Sequence, residues 1–462
     1  MTQPKTFSII NLGCPKNQVD AEVMLGRLQD AGWEWQAEPS DPSLLIINTC
    51  GFIESAQQES IDALLAAVNE YPNSHVIAAG CLTQRYAQEL ADEIPELSAI
   101  FGNRSPHRIL ELVEMAVDRD DPPVPAGPSP RAADVPGGAG PIVFTPAGTE
   151  DLESPGRGQL LSGASTAYLK VAEGCDHTCT FCAIPSIRGG KRERPSDEIV
   201  QEAATLVGRG IKEITLVAQD LAAYSRPDLV SLVREILTVP GEYWLRPLYL
   251  YPDNFPVELA ALTVSDRRVL PYFDISFQHA DSRILKRMGR RGSSEAYLDL
   301  IGRIRDKNPD TALRTSLIVG FPGESDKTVQ TLMDFLDQAQ LDWVGVFSFS
   351  PQEGTPAAAW VERGEMAPEA QVRQWKQKVE EHQERITRNR LARHVGSTVD
   401  VLVEEAIAGS ALYLCRGWMH APEVDGLAVL SAAENRYVPG QMVRATVTAV
   451  NGIDLAVRPV RH

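Results

Sequence analysis

Residues 174–182 read Gly-Cys-Asp-His-Thr-Cys-Thr-Phe-Cys, which makes them the most cysteine-dense segment of the chain. They place Cys175, Cys179 and Cys182 in a Cys-x-x-x-Cys-x-x-Cys array, where three thiolates can face one metal centre. A tetrahedral zinc site would need a fourth ligand, which only the Asp or the His inside the same loop offers. A cubane iron–sulfur cluster on three thiolates instead leaves one iron open to a small molecule. A zinc knuckle or an ordinary ferredoxin-like cluster is the alternative to such an open site.

Two neighbouring features strengthen the iron–sulfur interpretation. The apolar segment 167–172 precedes the loop and is predicted to be a strand, and Phe181 stands just before the last cysteine. The stretch therefore resembles the signature of the radical S-adenosylmethionine (SAM) enzymes. The resemblance implies a [4Fe–4S] cluster on the three cysteines, with its open iron chelated by the amino and carboxylate groups of SAM. Electron transfer into the sulfonium then yields a 5′-deoxyadenosyl radical.

The other cysteines also indicate metal binding. The chain has seven cysteines, which is a small and odd number for a disulfide scaffold. Six of them fall into two groups of three. The second group is Cys14, Cys50 and Cys81. In a reducing compartment, grouped cysteines indicate a metal site rather than disulfides. Cys415 stands apart and is predicted to be a small buried hydrophobic residue.

Alternating apolar strands and helical segments predict a doubly wound parallel sheet in a first domain of residues 1–118. Each predicted strand ends beside a cysteine of the second group. Because the carboxyl ends of parallel strands share one edge, these cysteines are expected to converge there, with Gly13, Gly51 and Gly80 allowing close backbone approach to a cluster. Three unrelated buried cysteines are the alternative. The predicted strands are 7–12, 44–48 and 75–79, and the predicted helices are 20–31, 54–68 and 84–94.

A linker and a second, larger domain are predicted after residue 118. Residues 119–164 are rich in Pro and Gly and are predicted to be a partly disordered linker without helix or strand. Residues 165–394 return to strand–helix alternation, which predicts a partial (βα)6 barrel followed by a polar connecting helix at 367–394. The predicted barrel strands are 167–172, 213–218, 244–251, 272–278, 312–320 and 343–350.

Sites on such barrels form at the carboxyl ends of the strands, where the cysteine loop follows the first strand. Polar residues at the same rim are candidates for contacting SAM or the substrate, and each could equally be a turn or a hydrogen-bonded rim residue. No general base is assigned. The basic run Lys191, Arg192 and Arg194 is more typical of a solvated surface, although it lies within reach of an anionic cofactor group. The rim candidates are Gln219, Asp220, Gln278, His279 and the turn 320–323.

Residues 395–462 alternate strands and turns and predict a small all-β barrel. The order of parts, with strand-end cysteines, a radical-SAM barrel and this β-barrel (a TRAM domain), is similar to that of the methylthiotransferases. This resemblance covers most of the chain and implies two [4Fe–4S] clusters. Cys14, Cys50 and Cys81 match the ligands of an auxiliary cluster, and the other triplet matches those of the radical-SAM cluster. The predicted strands of the last domain are 398–403, 411–415, 441–450 and 453–457.

The methylthiotransferases divide by substrate. One branch modifies an adenosine in transfer RNA, and the other modifies an aspartate of small-subunit ribosomal protein 12. Several segments resemble the second branch, which implies sulfur insertion at the β-carbon of an aspartate with a second SAM as methyl donor. The transfer-RNA branch is the nearest alternative, and a non-enzymatic iron–sulfur protein is another. The segments are Asn-Leu-Gly-Cys-Pro-Lys-Asn at 11–17, Ile-Ile-Asn-Thr-Cys-Gly-Phe-Ile at 46–53, Cys-Ala-Ile-Pro at 182–185 and Ala-Pro-Glu-Val-Asp-Gly at 421–426.

The charge of the chain favours a protein partner. Its formal net charge is −18, which argues against a broad phosphate-binding surface. Residues 396–462 carry seven acidic and five basic residues, whereas a β-barrel that grips RNA is expected to be basic. A basic ribosomal protein therefore suits the chain better than a nucleic acid as direct substrate. The implied reaction also needs an electron donor and a sulfur donor.

The sequence contains neither a visible signal peptide nor an apolar run of membrane-spanning length, which predicts a cytoplasmic protein without a membrane partner. Two features depart from the family pattern. The Pro/Gly-rich linker is unusually long, and Leu-Ala-Ala at 221–223 lacks the hydroxyl residues expected there. The second departure leaves the detailed contacts of the SAM pocket open.

Overall fold

The computed structural model describes residues 5–117, 140–146, 148, 152, 156–163, 165–433 and 436–460. The chain divides into two compact units. The first unit holds residues up to 161 together with 172–177 and 182–194, and the second holds 162–171, 178–181 and the residues from 195 onward.

Strands and helices alternate along the amino-terminal part of the chain. In order they are β1 (Thr6–Asn11), α1 (Pro15–Asp30), β2 (Glu34–Trp35), β3 (Leu44–Thr49), α2 (Glu54–Glu70), β4 (His75–Gly80), α3 (Cys81–Arg85), α4 (Ala87–Glu93), β5 (Ala99–Gly102), α5 (Ile109–Val117) and β6 (Ile142–Phe144), with a 3-10 turn at Pro106–Arg108.

These strands form a six-stranded parallel sheet in the order β2-β1-β3-β4-β5-β6. Alternate strand residues point to opposite faces of the sheet, and both sets are apolar. Leu44 and Ile46 of β3 pack with α1 and α5, whereas Leu45 and Ile47 pack with α2 and α4. Helices therefore cover both faces, and the doubly wound sheet that the sequence predicts is confirmed.

Three local expectations differ from the structure. Helix α1 begins at Pro15 rather than at residue 20, because buried polar residues in its first turns hide the apolar periodicity. The helix predicted at 84–94 is two helices, α3 and α4, and the first begins at Cys81. The expectation of no strand within 119–164 is wrong at β6, whose Phe144 stacks on Phe101 of β5 with ring centroids 6.0 Å apart. Most of the rest of that stretch lies outside the described residues.

The central part of the chain contains the following elements. They are β7 (Thr166–Lys170), β8 (Ala172–Glu173), α6 (Ile184–Arg188), β9 (Arg192–Glu193), α7 (Ser196–Gly208), β10 (Glu213–Val217), α8 (Leu229–Ile236), β11 (Trp244–Pro247), α9 (Glu258–Ser265), β12 (Tyr272–Asp274), α10 (Ser282–Arg287), α11 (Ser294–Lys307), β13 (Ala312–Val319), α12 (Asp326–Ala339), β14 (Trp343–Ser348) and α13 (Pro356–Glu362), with 3-10 turns at Leu221–Ala223 and Pro252–Asn254.

Six of these strands make the partial barrel. They form two parallel sheets, β11-β10-β7 and β12-β13-β14. Isolated parallel bridges between Leu245 and Val269 and between Leu250 and Ile275 join the two sheets. The predicted (βα)6 arrangement is therefore confirmed, with shorter strands than the sequence suggests. A two-stranded antiparallel ribbon of β8 and β9, which the sequence did not predict, lies on either side of the cysteine loop in the chain.

The carboxyl-terminal part begins with a long helix and ends in a closed barrel. The elements are α14 (Glu369–Ala392), β15 (Thr398–Ala406), β16 (Leu412–Gly417), β17 (Ala428–Ser431), β18 (Met442–Asn451) and β19 (Asp454–Pro459). The barrel strands close in the order β15-β16-β17-β19-β18. The small all-β barrel is thus confirmed, with β17 as a fifth strand that the sequence reading missed. Cys415 is fully buried in it, as predicted.

The closed barrel shares a hydrophobic core with the partial barrel. This core includes Trp244, Tyr272, Ala312 and Trp343, which are the first residues of β11, β12, β13 and β14. The closed barrel therefore packs at the amino-terminal ends of those strands, opposite the carboxyl-terminal rim. Among the described residues, no helix combines the length and apolar character needed to cross a membrane.

Candidate functional site

The first cysteine triplet lies where neighbouring strands end. Cys50 follows β3 directly, Cys81 follows β4 directly, and Cys14 comes three residues after β1 as the N-cap of α1. Strands β1, β3 and β4 are adjacent in the sheet, so the three cysteines lie along one edge. This arrangement agrees with the prediction that the strand ends gather them.

The thiols of the triplet are close enough to affect one another. Cys81 and Cys14 each contribute to the raised pKa of Cys50, after the larger effect of burial. Within the part of the chain that the structure describes, however, no group of three His, Cys, Asp or Glu side chains is tight enough to hold a single metal ion. A cubane places several atoms between any two of its ligands, so its thiolates lie farther apart than those of one ion. The assignment of the three ligands stays a prediction.

The three thiols differ in their preferred protonation. Burial raises the pKa of Cys50 to about 11. It also raises the pKa of Cys81, although the Arg188 guanidinium opposes the effect. At Cys14, desolvation acts in the same direction, but the charges of Lys16 and Arg188 and two backbone N–H groups outweigh it and lower the pKa.

Cys81 has the most elaborate surroundings of the three. The Asn103 amide donates a hydrogen bond to its Sγ at 3.2 Å, and Arg188 Nη2 donates to the same sulfur at 3.3 Å. Its own thiol donates to Asn17 Oδ1, with the sulfur 3.5 Å from that oxygen. Two N–H donors on one sulfur favour a negatively charged sulfur, because a neutral thiol is a weak acceptor.

Gly51 allows the cysteine-bearing loops to approach each other. A Cβ at this position would lie 2.6 Å from the Leu82 nitrogen and 2.8 Å from the Cys81 carbonyl carbon. The glycine therefore brings the end of β3 against the start of α3, and with it Cys50 toward Cys81. The sequence predicted close approach to a cluster; the contact observed is between the two chain segments.

The donor set of this edge fits an iron–sulfur cluster. Its candidate ligands are soft thiols without a carboxylate or imidazole among them, which suits iron–sulfur clusters and disfavours hard cations. The N–H donors around Cys81 suit a sulfur-rich anion. A cluster bound here would be held by Cys14, Cys50 and Cys81.

The second triplet follows β7, in a loop between β8 and α6. The Cys175 amide donates to the Gly189 carbonyl at 3.1 Å, and Cys182 Sγ accepts from the Ile184 amide at 3.5 Å. Gly174 has a φ of +81°, and a Cβ there would lie 2.1 Å from the Gly190 carbonyl oxygen. The turn that starts the cysteine array therefore requires glycine.

Cys179 lies against a buried cation. Arg290 Nη1 is 3.8 Å from its Sγ, and the Tyr251 hydroxyl is 3.9 Å from the same atom. The Arg290 guanidinium also lies over the Tyr251 ring, 3.9 Å from the ring centroid. Phe181 meets Phe321 edge to face at 6.3 Å. A half-buried thiol with a buried cation and a tyrosine hydroxyl beside it fits a cluster ligand.

The rim candidates divide into two kinds. His279 is fully buried and bound on both nitrogens: Nε2 is 2.7 Å from Glu324 Oε1, and Nδ1 accepts from the Asp281 amide at 2.9 Å. Glu324 in turn accepts from the Phe321 amide at 3.0 Å, so these residues fix the turn at 320–323. Gln278, four residues after the end of β12, has a φ of +67°, an uncommon backbone conformation that often marks a functional position. Gln219, Asp220 and Gln278 remain candidates for cofactor or substrate contact.

The basic run after the loop is not a solvated surface. Arg194 is buried, and Arg192 belongs to β9. The Lys191 amide donates to Asp176 Oδ1 at 2.9 Å, and its ammonium pairs with Glu193 at 2.8 Å. These residues build the base of the cysteine loop.

Sequence reasoning missed Arg188 and Asn103, both of which contact Cys81. Asn103 directly follows β5, the strand beside β4, so the rule that selected the strand-end cysteines could also have found it. Arg188 carried no comparable signal, because its role depends on a contact with a residue 107 positions away in the chain.

Three family models match separate parts of the chain. Residues 6–102 match the uncharacterized protein family UPF0004, residues 169–336 match the radical SAM superfamily, and residues 395–460 match the TRAM domain. The three matches lie in the amino-terminal, central and carboxyl-terminal parts of the chain.

Relatives match almost the whole chain. Ribosomal protein uS12 methylthiotransferase RimO of Carboxydothermus hydrogenoformans is 37% identical over 455 residues, which cover 97% of this chain and 98% of the relative. The protein of the same name from Geobacter sulfurreducens is 38% identical over 457 residues, covering 97% of each chain.

Solved structures share the fold at low identity. The radical SAM methyltransferase TsrM of Kitasatospora setae, solved with cobalamin and a [4Fe–4S] cluster, aligns with a TM-score of 0.54 and 16% identity, covering 78% of this chain and 75% of that one. OxsB, a cobalamin-dependent S-adenosylmethionine radical enzyme, aligns with a TM-score of 0.51 and 13% identity, covering 81% and 56%. At these identities the likeness concerns the fold alone.

Proposed function

This chain belongs to the RimO family of ribosomal protein uS12 methylthiotransferases, and we propose that it adds a methylthio group to the β-carbon of an aspartate in uS12, small-subunit ribosomal protein 12. The observation that carries this proposal is 37–38% identity over nearly the full length of both chains. The chain is accordingly a SAM-dependent enzyme that transfers sulfur, with a radical SAM domain.

The chain holds the cofactors through its two cysteine triplets. Cys14, Cys50 and Cys81 bind one [4Fe–4S] cluster, and Cys175, Cys179 and Cys182 bind the other. When bound, the clusters and SAM supply the 5′-deoxyadenosyl radical, an iron that accepts sulfur and a methyl donor. The cysteine placement along one sheet edge and within one loop supports this division.

Radical chemistry suits the proposed target. The β-carbon hydrogens of an aspartate are not acidic, because the adjacent carboxylate disfavours a carbanion. The chain's residues therefore need to position the substrate and exclude water rather than remove a proton. The aromatic contact of Phe181 with Phe321 and the buried side chain of Arg290 would help to exclude water. No residue is assigned as a general base.

The proposed reaction needs an electron donor and a sulfur donor besides the substrate. An electron donor must reduce the radical-SAM cluster, and a sulfur donor must replace the sulfur that each turnover consumes. Because uS12 belongs to the ribosome, the enzyme acts in the cytoplasm.

The deciding experiment is mass analysis of uS12 and of transfer RNA from cells with and without this chain. We expect the methylthio mass on uS12 to disappear with the chain, while transfer RNA stays unchanged. Loss of a methylthio-adenosine instead would contradict the proposal and favour the transfer-RNA branch.

Anaerobic reconstitution tests the cofactor assignment. Wild-type protein should bind about eight irons per chain if two cubane clusters form. Replacing Cys175, Cys179 and Cys182 by Ala should abolish SAM cleavage. Replacing the other triplet should spare cleavage and stop methylthiolation, and methylthiolation that persisted in that variant would contradict the sulfur-site assignment.

A further inference from the structure

Arg188 is a buried cation in the first unit. It is the last residue of α6, and its side chain is 2% exposed. Its Nη1 donates to Asp20 Oδ2 at 3.0 Å and to Glu173 Oε2 at 2.8 Å. Its Nη2 donates to Asn17 Oδ1 at 2.5 Å and to Cys81 Sγ at 3.3 Å. The guanidinium thus joins α1, β8 and a candidate cluster ligand.

An ion pair alone does not explain this geometry. Asp20 and Glu173 already neutralise the guanidinium, and both use the same nitrogen. The second nitrogen is left to face Asn17 and the sulfur of Cys81. Because the planar guanidinium fixes the directions of its donors, the two carboxylates act as a clamp that aims Nη2 at the sulfur.

The helix that bears Arg188 is itself held against Cys81. Ala183 and Ile187 pack with Cys81 in one small hydrophobic cluster. Arg104 donates to the carbonyls of Ile187, at 2.9 Å, and Ser186, at 2.5 Å. The arginine therefore approaches the sulfur from a short helix that is fixed at its carboxyl end.

We propose that Arg188 is a positioning residue for the auxiliary cluster, which fixes the orientation of the Cys81 sulfur and raises the reduction potential of the cluster bound there. The proposal rests on the assignment of Cys81 as a ligand under the proposed function. Reduction adds one electron, supplied by an external reductant, and makes the cluster more negative. A hydrogen bond from an N–H group to a ligand sulfur and a nearby positive charge both stabilise that reduced form. Both therefore raise the reduction potential of the cluster.

The test is a redox titration of the reconstituted full-length protein with dithionite, followed by electron paramagnetic resonance. Arg188→Gln alone removes the cation that pairs with two buried carboxylates, so it endangers folding. The triple variant Arg188→Gln with Asp20→Asn and Glu173→Gln removes the cation together with both carboxylates that pair with it. Because loss of the two negative charges would itself raise the potential, its reference is the double variant Asp20→Asn with Glu173→Gln, which keeps Arg188. We expect the auxiliary cluster of the triple variant to have a lower midpoint potential than that of the double variant, because the two proteins differ only at residue 188. Arg188→Lys, which keeps the charge but loses the fork of donors, should recover part of the shift.

Two further variants separate this role from a structural one. Asn103→Ala removes the neutral donor to Cys81 and should lower the same potential by a smaller amount. Arg157→Gln removes another buried arginine that pairs with Glu22 of α1, and it should leave the potential at the wild-type value. A merely structural role for Arg188 would change the melting temperature of the apoprotein and leave the potential unmoved.

The outcomes distinguish the two proposals. An auxiliary potential that is the same in the iron-loaded triple and double variants overturns the role of Arg188. A wild-type protein with the spectrum of one cluster only contradicts the two-cluster assignment before any variant is compared, and the inference about Arg188 fails with it.

Discussion

Gly51 is the residue on which the approach of Cys50 to Cys81 depends. Any Cβ there would lie 2.6 Å from a backbone nitrogen of α3, and backbone cannot move aside as a flexible side chain can. We expect Gly51→Ala to cost about 1–3 kcal/mol of stability and to reduce the iron bound on reconstitution toward that of one cluster. Urea unfolding of the apoprotein and iron analysis of the reconstituted protein check the two effects.

Gly156 provides the matched control for this substitution. It belongs to the same unit, and a Cβ there would meet nothing within 4 Å. Gly156→Ala should therefore keep both wild-type stability and the full iron content. A Gly51→Ala protein that bound as much iron as this control would show that the glycine is not needed for the site.

His420 is a second residue with a measurable consequence. Burial, followed by the charges of Arg246 and Arg416, lowers its pKa from 6.5 to about 3. Its Nδ1 accepts from the Gly417 amide at 3.1 Å, and its ring lies 5.6 Å from that of Trp343. The unfolded chain takes up a proton near pH 6.5 and the folded chain only near pH 3. His420 therefore contributes stability that is fully present above pH 6.5 and is lost as the pH falls toward 3, up to about 5 kcal/mol.

Urea unfolding at pH 7, 6 and 5 tests this pH dependence. His420→Asn keeps an acceptor oxygen near the Nδ1 position and cannot take up a proton in this range. The variant should lose less stability between pH 7 and pH 5 than the wild type, whatever its stability at pH 7. Equal losses in the two proteins would mean that His420 does not titrate as its surroundings predict.

At the scale of elements, α1 shows what the sequence could not reveal. The strands β1, β3 and β4 follow from apolar runs, and their cysteines are found because they end those runs. Helix α1 instead buries Asn17, Asp20 and Glu22, whose partners come from distant segments. Polar residues of this kind look like a solvated face in a sequence. Their burial depends on tertiary contacts, so neither the true start of α1 nor the role of Arg188 was predicted.

The segment 156–161 docks on α1 through Glu22. Arg157 Nη1 lies 2.8 Å from Glu22 Oε2, and the Leu161 amide donates to Glu22 Oε1 at 2.9 Å. Because the Arg157 side chain is only 4% exposed, we expect trypsin to cut slowly after it. Glu22→Gln removes the charge that holds the arginine, so cleavage at Arg157 should become several-fold faster.

Mass analysis of a timed digest measures that cleavage. Glu111→Gln is the matched control, because it removes an exposed pair with Arg108 from the same unit. The control should be cut at Arg157 as slowly as the wild type. A Glu22→Gln protein that behaved like this control would show that the pair does not hold the segment.

At the scale of the whole molecule, the closed barrel is a structural partner of the radical-SAM barrel. The segment 421–426, which the sequence reading treated as a mark of the substrate branch, contains Asp425, whose side chain is only 1% exposed. The Asp425 carboxylate accepts from the Tyr272 hydroxyl at 2.6 Å and the Ala421 amide at 2.8 Å, and it lies 3.4 Å from Arg314. The seven acidic residues counted in this domain therefore include Asp425, whose buried carboxylate is used within the protein rather than in binding a partner.

This placement predicts that Asp425 supports the catalytic barrel as well as its own domain. Asp425→Ala leaves the Tyr272 hydroxyl and the Ala421 amide without their acceptor, at a cost of about 2–4 kcal/mol. We expect a lower melting temperature and a loss of reductive SAM cleavage at temperatures that the wild type tolerates. Val424→Ala, at the neighbouring exposed position, should change neither quantity. A domain that only recognised uS12 would behave differently: Asp425→Ala would then reduce methylthiolation while SAM cleavage and melting stayed at wild-type values, and that result would separate the closed barrel from the shared core.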